Sequence, residues 1–210
     1  MTDPHAVTDL RSIYREPGRG AVDKVAATIG LEAGRFIQRS PLFIIASTDG
    51  ATADASPRGG PPGFVVILDE QTLAFADLTG NNRLDTFTNF QHVDAVGMIF
   101  IVPGAEETVR VNGRASLTTD EDLRQRCAIG DRLPKVAVRV EVEECYLHCG
   151  AALRRAALWD HEQWPSSEER PSGGTILAEV YDGDIPAAEI DAGLDAYYDN
   201  FVWEVGGGRD

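Results

Sequence analysis

Two arginines lie among glycines, small hydroxyl residues and amides in the first half of this 210-residue chain. Arg58 follows Ser56 and Pro57 and precedes two glycines, and Arg83 directly follows Asn81 and Asn82. A guanidinium group is planar, permanently charged and bidentate, and glycine lets the backbone approach a ligand closely. This combination predicts a site for a small ligand that carries a phosphate. Two solvated arginines beside turn glycines are the alternative, and the residue types alone leave it open.

The composition restricts the partners of such a site. The chain has 19 basic and 34 acidic residues, a formal net charge of −15, and 43% hydrophobic residues. Nucleic acids and anionic lipids bind basic surfaces, so we expect neither as a partner. No run reaches the roughly 18 apolar residues of a membrane span and no signal pattern opens the chain, which favours a cytoplasmic protein. The three cysteines lack metal-ligand spacing, so we expect no metal site.

The elements that must position these arginines follow from hydrophobic spacing. Six segments alternate in polarity or form short apolar runs between turn residues, which predicts about six strands of an antiparallel barrel or sandwich. They are residues 42–48, 64–68, 72–76, 95–102, 108–117 and 136–142.

Helical spacing predicts peripheral helices around this sheet. The helix predicted from Leu84 would direct its N-terminal amides at the same anion as Arg83. The predicted helices are residues 7–15, 23–39, 84–89, 120–129, 151–159 and 187–204.

Five short motifs follow one another between Ser40 and Asp160. They are Ser-Pro-Leu-Phe-Ile-Ile-Ala-Ser-Thr from Ser40, Asp-Ala-Ser-Pro-Arg-Gly from Asp54, Gly-Asn-Asn-Arg-Leu-Asp-Thr from Gly80, Glu-Thr-Val-Arg-Val-Asn-Gly-Arg-Ala from Glu107 and Leu-Trp-Asp from Leu158. In this order they resemble the pyridoxamine 5′-phosphate oxidase-like FMN-binding proteins, and more narrowly a bacterial branch of that group.

The resemblance implies a mainly β fold, a six-stranded antiparallel split β-barrel with peripheral helices. It also implies a homodimer with two FMN sites at the subunit interface. The expected division of the chain is an N-terminal helical segment over 1–39, the FMN-binding barrel over 40–160, and a linker with an acidic helix over 161–210. A flavin has a flat apolar ring and a charged tail, so it needs both an apolar slot and a basic cradle.

The resemblance also implies roles for individual residues. Arg58 matches the phosphate-binding arginine on the second strand, and Arg83 matches the basic residue after the next strand. Thr108 lies where the family often has a glutamine that touches the flavin from the other subunit. The remaining matches flank these positions: Asn81 and Asn82 near the phosphate or ribityl hydroxyls, Ser56 and Pro57 on the ring side, and Phe75, Ala76 and Asp77 along the ring and ribityl chain.

Three more residues are candidates from their own surroundings. His148 has an unperturbed pKa near neutrality and could donate a proton or a hydrogen bond, or could simply bond to backbone. Arg110 lies on the more polar face of its predicted strand. Arg154 or its neighbour Arg155 could reach an anionic ligand or pair with surface carboxylates.

These features predict an FMN-dependent oxidoreductase that acts on a small, unknown substrate. The oxidase that names the family has a C-terminal segment in which a tryptophan and an arginine hold the flavin and the pyridoxal phosphate. That segment has no match in this sequence, so we do not expect oxidation of pyridoxamine phosphate itself. The alternatives are a flavin-binding or storage protein without turnover, and a split-barrel binder of deazaflavin or haem.

Overall fold

A computed structural model describes residues 7–78, 80–181 and 183–203. In this part of the chain one antiparallel sheet has the strand order β2-β1-β5-β6-β7-β4-β3. Its strands are β1 (Leu42–Thr48), β2 (Ala53–Gly59), β3 (Val65–Asp69), β4 (Thr72–Ala76), β5 (Ala95–Ile101), β6 (Thr108–Thr118) and β7 (Ala137–His148).

The expected mainly β, antiparallel class is confirmed, with seven strands in the described residues instead of six. The additional strand is β2, whose sequence Ala-Asp-Ala-Ser-Pro-Arg-Gly has no large apolar residue and therefore no hydrophobic period. It lies at the edge of the sheet and pairs with β1. An edge strand tolerates Pro57 because not every backbone N–H there is needed for pairing.

The sheet curls around the larger of two hydrophobic clusters in the described residues. Phe43 on β1 and Phe75 on β4 are separated by three intervening strands in the sheet order, yet their ring centroids lie 5.0 Å apart. Phe64 stacks on Phe43 at 5.6 Å, and Phe100 lies 5.3 Å from it. Contacts between strands so distant in the sheet require curvature, as a barrel does.

Helices surround this sheet. The helix α2 (Leu31–Arg39) buries Ile37 in the core, and α3 (Asp85–His92) buries Thr86, Asn89 and Phe90. Among the described residues, none of the helices combines the length and apolar character needed to cross a bilayer. The helices are α1 (Arg19–Val22), α2 (Leu31–Arg39), α3 (Asp85–His92), α4 (Glu121–Arg126), α5 (Ala151–Arg155), α6 (Gly173–Val180) and α7 (Ala187–Phe201).

The helix predicted over 23–39 is wrong in its first part, because α2 begins only at Leu31. The preceding residues instead pair with strands: Ala26 forms an antiparallel bridge with Cys145, and the Ile29 amide donates to the Glu70 carbonyl at 2.7 Å. Tertiary hydrogen bonds thus override the helical spacing there. The predicted C-terminal helix is found as α7, and its expected last residue, Glu204, lies outside the described residues.

Replacement of Gly113 should destabilise the fold. The glycine lies at a register shift in β6, and a Cβ atom there would meet the Glu141 carbonyl oxygen on β7 at 2.0 Å. Because backbone must move, we expect Gly113→Ala to lower the free energy of unfolding by about 1–3 kcal/mol. Urea denaturation measures this change. The matched control is Gly97→Ala on β5, where the nearest contact would be an ordinary 3.5 Å; equal losses in the two variants would contradict the prediction.

Candidate ligand-binding site

A cavity of about 480 Å³ opens between β2, the end of β4 and the start of α3. Its size falls within the range of about 300–1,000 Å³ that is usual for small-molecule sites. Most of its lining comes from residues 56–87, and Val202 and Trp203 at the end of α7 complete it. Of the residues predicted from the sequence, the cavity brings together Ser56, Pro57, Arg58, Ala76, Asp77, Asn81, Asn82 and Arg83.

The pairing of β2 with β1 positions the first arginine. Arg58 lies opposite Phe43 and Ser56 lies opposite Ile45, and both partners on β1 are buried in the core. Directly opposed residues of an antiparallel pair project from the same face of the sheet. Ser56 and Arg58 therefore lie on the same face of the sheet as the apolar core, at its edge strand, where they line the cavity.

A hydrogen-bond network fixes Arg58 between β2 and α3. Its Nη2 donates to Thr86 Oγ1 at 3.1 Å and its Nη1 to the Pro57 carbonyl at 3.0 Å. The Thr86 hydroxyl donates in turn to Asp54 Oδ2 at 2.9 Å, and Ser56 Oγ donates to the same carboxylate oxygen at 3.1 Å. The guanidinium is thereby oriented before any ligand arrives.

Sequence reasoning missed Asp54 and Thr86 as members of this network. Asp54 shares the face of Ser56 and Arg58 by strand alternation, but only once β2 is recognised as a strand. Thr86 lies in the helix predicted over 84–89, three residues after Arg83. The helical period could therefore have placed Arg83 and Thr86 together near the start of that helix.

The second arginine lies in a loop of unusual backbone conformation. Asn82 and Leu84 both adopt φ of 60°, and the Leu84 conformation is costly for a residue that is neither glycine nor asparagine. Within the part of the chain that the structure describes, no side chain caps α3, which begins directly after Leu84. Its first amides are thus available to an anion, which the helix dipole also favours.

Arg83 itself is exposed and has only weak local attachments. Its Nε donates to Asp85 Oδ2 at 2.8 Å, and its backbone N–H donates to Asn81 Oδ1 at 3.1 Å. An exposed ion pair of this kind contributes little to stability. The guanidinium can therefore exchange Asp85 for a ligand at small cost.

Burial controls the electrostatics of the cavity. Burial raises the pKa of Asp77, and the opposing attraction of Arg58 and Lys135 does not cancel the effect. Burial also lowers the pKa of Arg58, while Asp77 and Asp54 counteract the change. An arginine remains charged despite such a shift. The site therefore holds a permanent cation next to a carboxylate that is more readily protonated than usual.

The other predicted residues do not line this cavity. Phe75 is buried in the core against Phe43. Thr108 lies opposite His148 where β6 pairs with β7. Arg110 lies opposite Tyr146, with its guanidinium 5.2 Å from the centre of the tyrosine ring, and Arg154 forms an ion pair with Glu106 in which Nε donates to Oε2 at 2.9 Å.

The sequence model of the pyridoxamine 5′-phosphate oxidase family matches residues 31–149, more than half of the chain. The chain belongs to this family. The resemblance inferred from the motifs is thus confirmed. The matched region contains all of the cavity lining between residues 56 and 87, whereas Val202 and Trp203 lie beyond it.

Solved structures similar to this family member share little sequence with it. HupZ from Group A Streptococcus is 17% identical, with 57% of this chain and 93% of that chain covered and a TM-score of 0.47. A pyridoxamine 5′-phosphate oxidase candidate from Lactobacillus delbrueckii is 15% identical, with 58% and 95% covered and a TM-score of 0.46. An FMN-binding protein from Syntrophomonas wolfei is 12% identical, with 56% and 84% covered and a TM-score of 0.43. No curated protein matches the sequence.

The raised pKa of Asp77 predicts a pH-dependent gain in stability for Asp77→Asn in this family member. The ionised carboxylate is less favourable in the folded chain than in the unfolded chain, so the parent loses stability as the pH rises above 3.8, the ordinary pKa of this group. We expect the variant to unfold at higher urea concentration than the parent at neutral pH. The difference should shrink as the pH falls toward 3.8.

The exposed residue Asp131, which lies in a turn outside the helices, offers a matched control. Asp131→Asn should leave the stability unchanged at either pH. A pH-independent difference between Asp77→Asn and the parent would contradict the electrostatic explanation.

Proposed function

We propose that this protein binds FMN in the cavity and uses it as an oxidoreductase acting on a small molecule. The observation that carries the proposal is that Arg58, Arg83 and the uncapped start of α3 meet at one cavity in a member of this family. Guanidinium groups and helix N-terminal amides are the donors that a phosphate needs.

The residues present fit the rest of the cofactor. The amides of Asn81 and Asn82 line the cavity next to the basic residues and suit the hydroxyls of a ribityl chain. Phe64 and Leu78 add apolar surface suited to a flat ring. Bound FMN would accept and donate a hydride or electrons, while the protein supplies position and electrostatics.

The side chains of the site would bind and orient the cofactor and exclude water from its tail. Arg58 would act as the fixed donor, since Thr86 and the Pro57 carbonyl already hold its guanidinium. Arg83 would act as the exchangeable donor, because its exposed pair with Asp85 contributes little. No side chain in the described cavity needs to serve as a nucleophile for this chemistry.

We also propose a homodimer that forms through the outer face of the sheet. One row across β2, β1, β5 and β6 consists of Pro57, Ile44, Ile99 and Arg110. Ile99 is 38% exposed on this face. Pro57 also lines the cavity, so the face reaches the edge of the ligand site. The row is exposed at Pro57 and Ile99 and half-buried at Ile44 and Arg110. Exposed apolar residues in such a row favour burial by a second subunit.

Arg110 supports the same interface. Its Nε atom is buried and has no hydrogen-bond partner among the described residues. A buried donor without a partner is unfavourable, and an acceptor on a second copy would satisfy it. Thr108 lies on the same face by strand alternation but is only 4% exposed in the subunit itself. His148, which lies opposite Thr108, is half-buried, so a dimer would bring His148 rather than Thr108 next to the other subunit.

Removal of Arg58 should weaken FMN binding without unfolding the protein. We expect Arg58→Ala to lose about 1.5–3 kcal/mol of binding free energy, the value of a charge-assisted hydrogen bond. Arg83→Ala should lose less, because its side chain is 71% exposed. Titration of the protein into FMN, followed by flavin fluorescence, measures the dissociation constants. Arg35→Ala on α2, which removes an exposed arginine paired with Glu32, is the control and should bind like the parent.

The oxidoreductase activity requires a separate measurement on the FMN-loaded protein. Addition of reduced nicotinamide cofactor without oxygen should bleach the visible flavin band. A flavin band that persists with every reduced nicotinamide would instead favour a binding protein without turnover. A spectrum of another pigment in the purified protein would favour a deazaflavin or haem.

Charge placed on the outer face should separate the two subunits. Ile99→Asp puts a carboxylate in the middle of the proposed interface, where it would have to lose its hydration on association. We expect the parent to have twice the monomer mass by light scattering and the variant to shift toward the monomer. Ile176→Asp on α6 adds the same charge at another exposed isoleucine and should leave the mass unchanged. A monomeric parent would contradict the proposal.

A further inference from the structure

The end of α7 supplies a wall of the cavity that the family match does not include. Val202 and Trp203 line the cavity together with residues from 56–87, although more than a hundred positions separate them in the chain. Their side chains remain 46% and 47% exposed. A tryptophan that served the protein core alone would be more deeply buried, as large apolar side chains usually are.

A compact helical hairpin carries this wall. The Asp191 carboxylate on α7 accepts from Ser172 Oγ at 2.6 Å and from the Gly174 amide at 2.7 Å, which caps α6 and joins the two helices. A Cβ atom at Gly174 would lie 2.1 Å from the Ala187 carbonyl oxygen, so the helices approach as closely as their backbones allow. Trp203 lies two residues after Phe201, the last residue of α7, and is therefore attached to a well-defined unit.

Trp203 differs chemically from the basic part of the cavity lining, which contains Arg58 and Arg83. The indole of Trp203 offers a flat apolar face and a single N–H donor. Other residues of the lining, Arg58, Arg83 and the start of α3, already provide the donors that a phosphate needs. The part of a ligand that an indole complements best is a planar aromatic ring.

We propose that Trp203 is a ligand-binding residue that packs on the aromatic ring of the bound cofactor, so that α7 closes one side of the site. This inference rests on the proposed flavin site. It assigns the C-terminal helices a role in binding that the barrel alone does not perform. Ligand binding would bury the exposed indole face and hold α7 against the barrel.

The test compares FMN with riboflavin, which has the same ring and no phosphate. Trp203→Ala should weaken the binding of both by roughly 3- to 10-fold, the range expected for an aromatic pair. Trp203→Phe should retain most of the affinity. The control is Trp164→Ala, which removes another exposed tryptophan that does not line the cavity, and it should bind both ligands like the parent.

The outcomes separate this inference from the proposed function. Unchanged affinity of Trp203→Ala for both ligands would overturn it while the flavin site stands, and so would a loss confined to FMN, because riboflavin shares the ring. A parent that binds neither ligand would refute the flavin site itself. Amide hydrogen exchange in α7 should slow on addition of FMN to the parent and not to Trp203→Ala; exchange that stays the same in the parent would also overturn the inference.

Discussion

The contact between Phe43 and Phe75 in the core is the constraint on which the ligand site depends. It draws β1 and β4 together across the interior of the curled sheet, with 5.0 Å between ring centroids. Arg58 lies opposite Phe43, and Asp77 follows Phe75 by two residues. Packing of apolar rings therefore brings a cation and a carboxylate to one cavity, although neither side chain contributes to the core.

The cavity lining carries two arginines, Arg58 and Arg83, and two aspartates, Asp77 and Asp85, whereas the whole chain has a net charge of −15. Arg58 has Asp54 within its hydrogen-bond network and Asp77 nearby, and burial disfavours the charged form of both Arg58 and Asp77. A half-buried cation with orienting partners keeps a fixed position, whereas the exposed Arg83 remains free to adjust. A phosphate would thus meet one preorganised donor and one adaptable donor.

The barrel and the C-terminal α6–α7 hairpin contribute different parts of the cavity lining. The family-matched region contains the basic part of the lining, with Arg58 on a paired strand and Arg83 in the loop before α3. The α6–α7 hairpin holds itself together through Asp191 and presents Trp203 at the cavity. Ligand contacts on an appended element can change without loss of the barrel, which is how one fold accommodates different substrates.

The sequence by itself determined the antiparallel class and the helix after Asn81 and Asn82, because hydrophobic period is a local property, and the order of its motifs indicated the family. Residue chemistry also selected Arg58 and Arg83 as candidates, and both line one cavity in the structure. The sequence did not indicate β2 by spacing, since Ser56 and its neighbours carry no apolar alternation. It also extended α2 too far toward the N-terminus, because the bridge from Ala26 to Cys145 joins residues distant in the chain. Only the tertiary structure decided that Thr86 orients Arg58 and that Trp203 reaches the cavity. Such contacts depend on how the sheet curls and where a distant helix ends, and no local pattern encodes them.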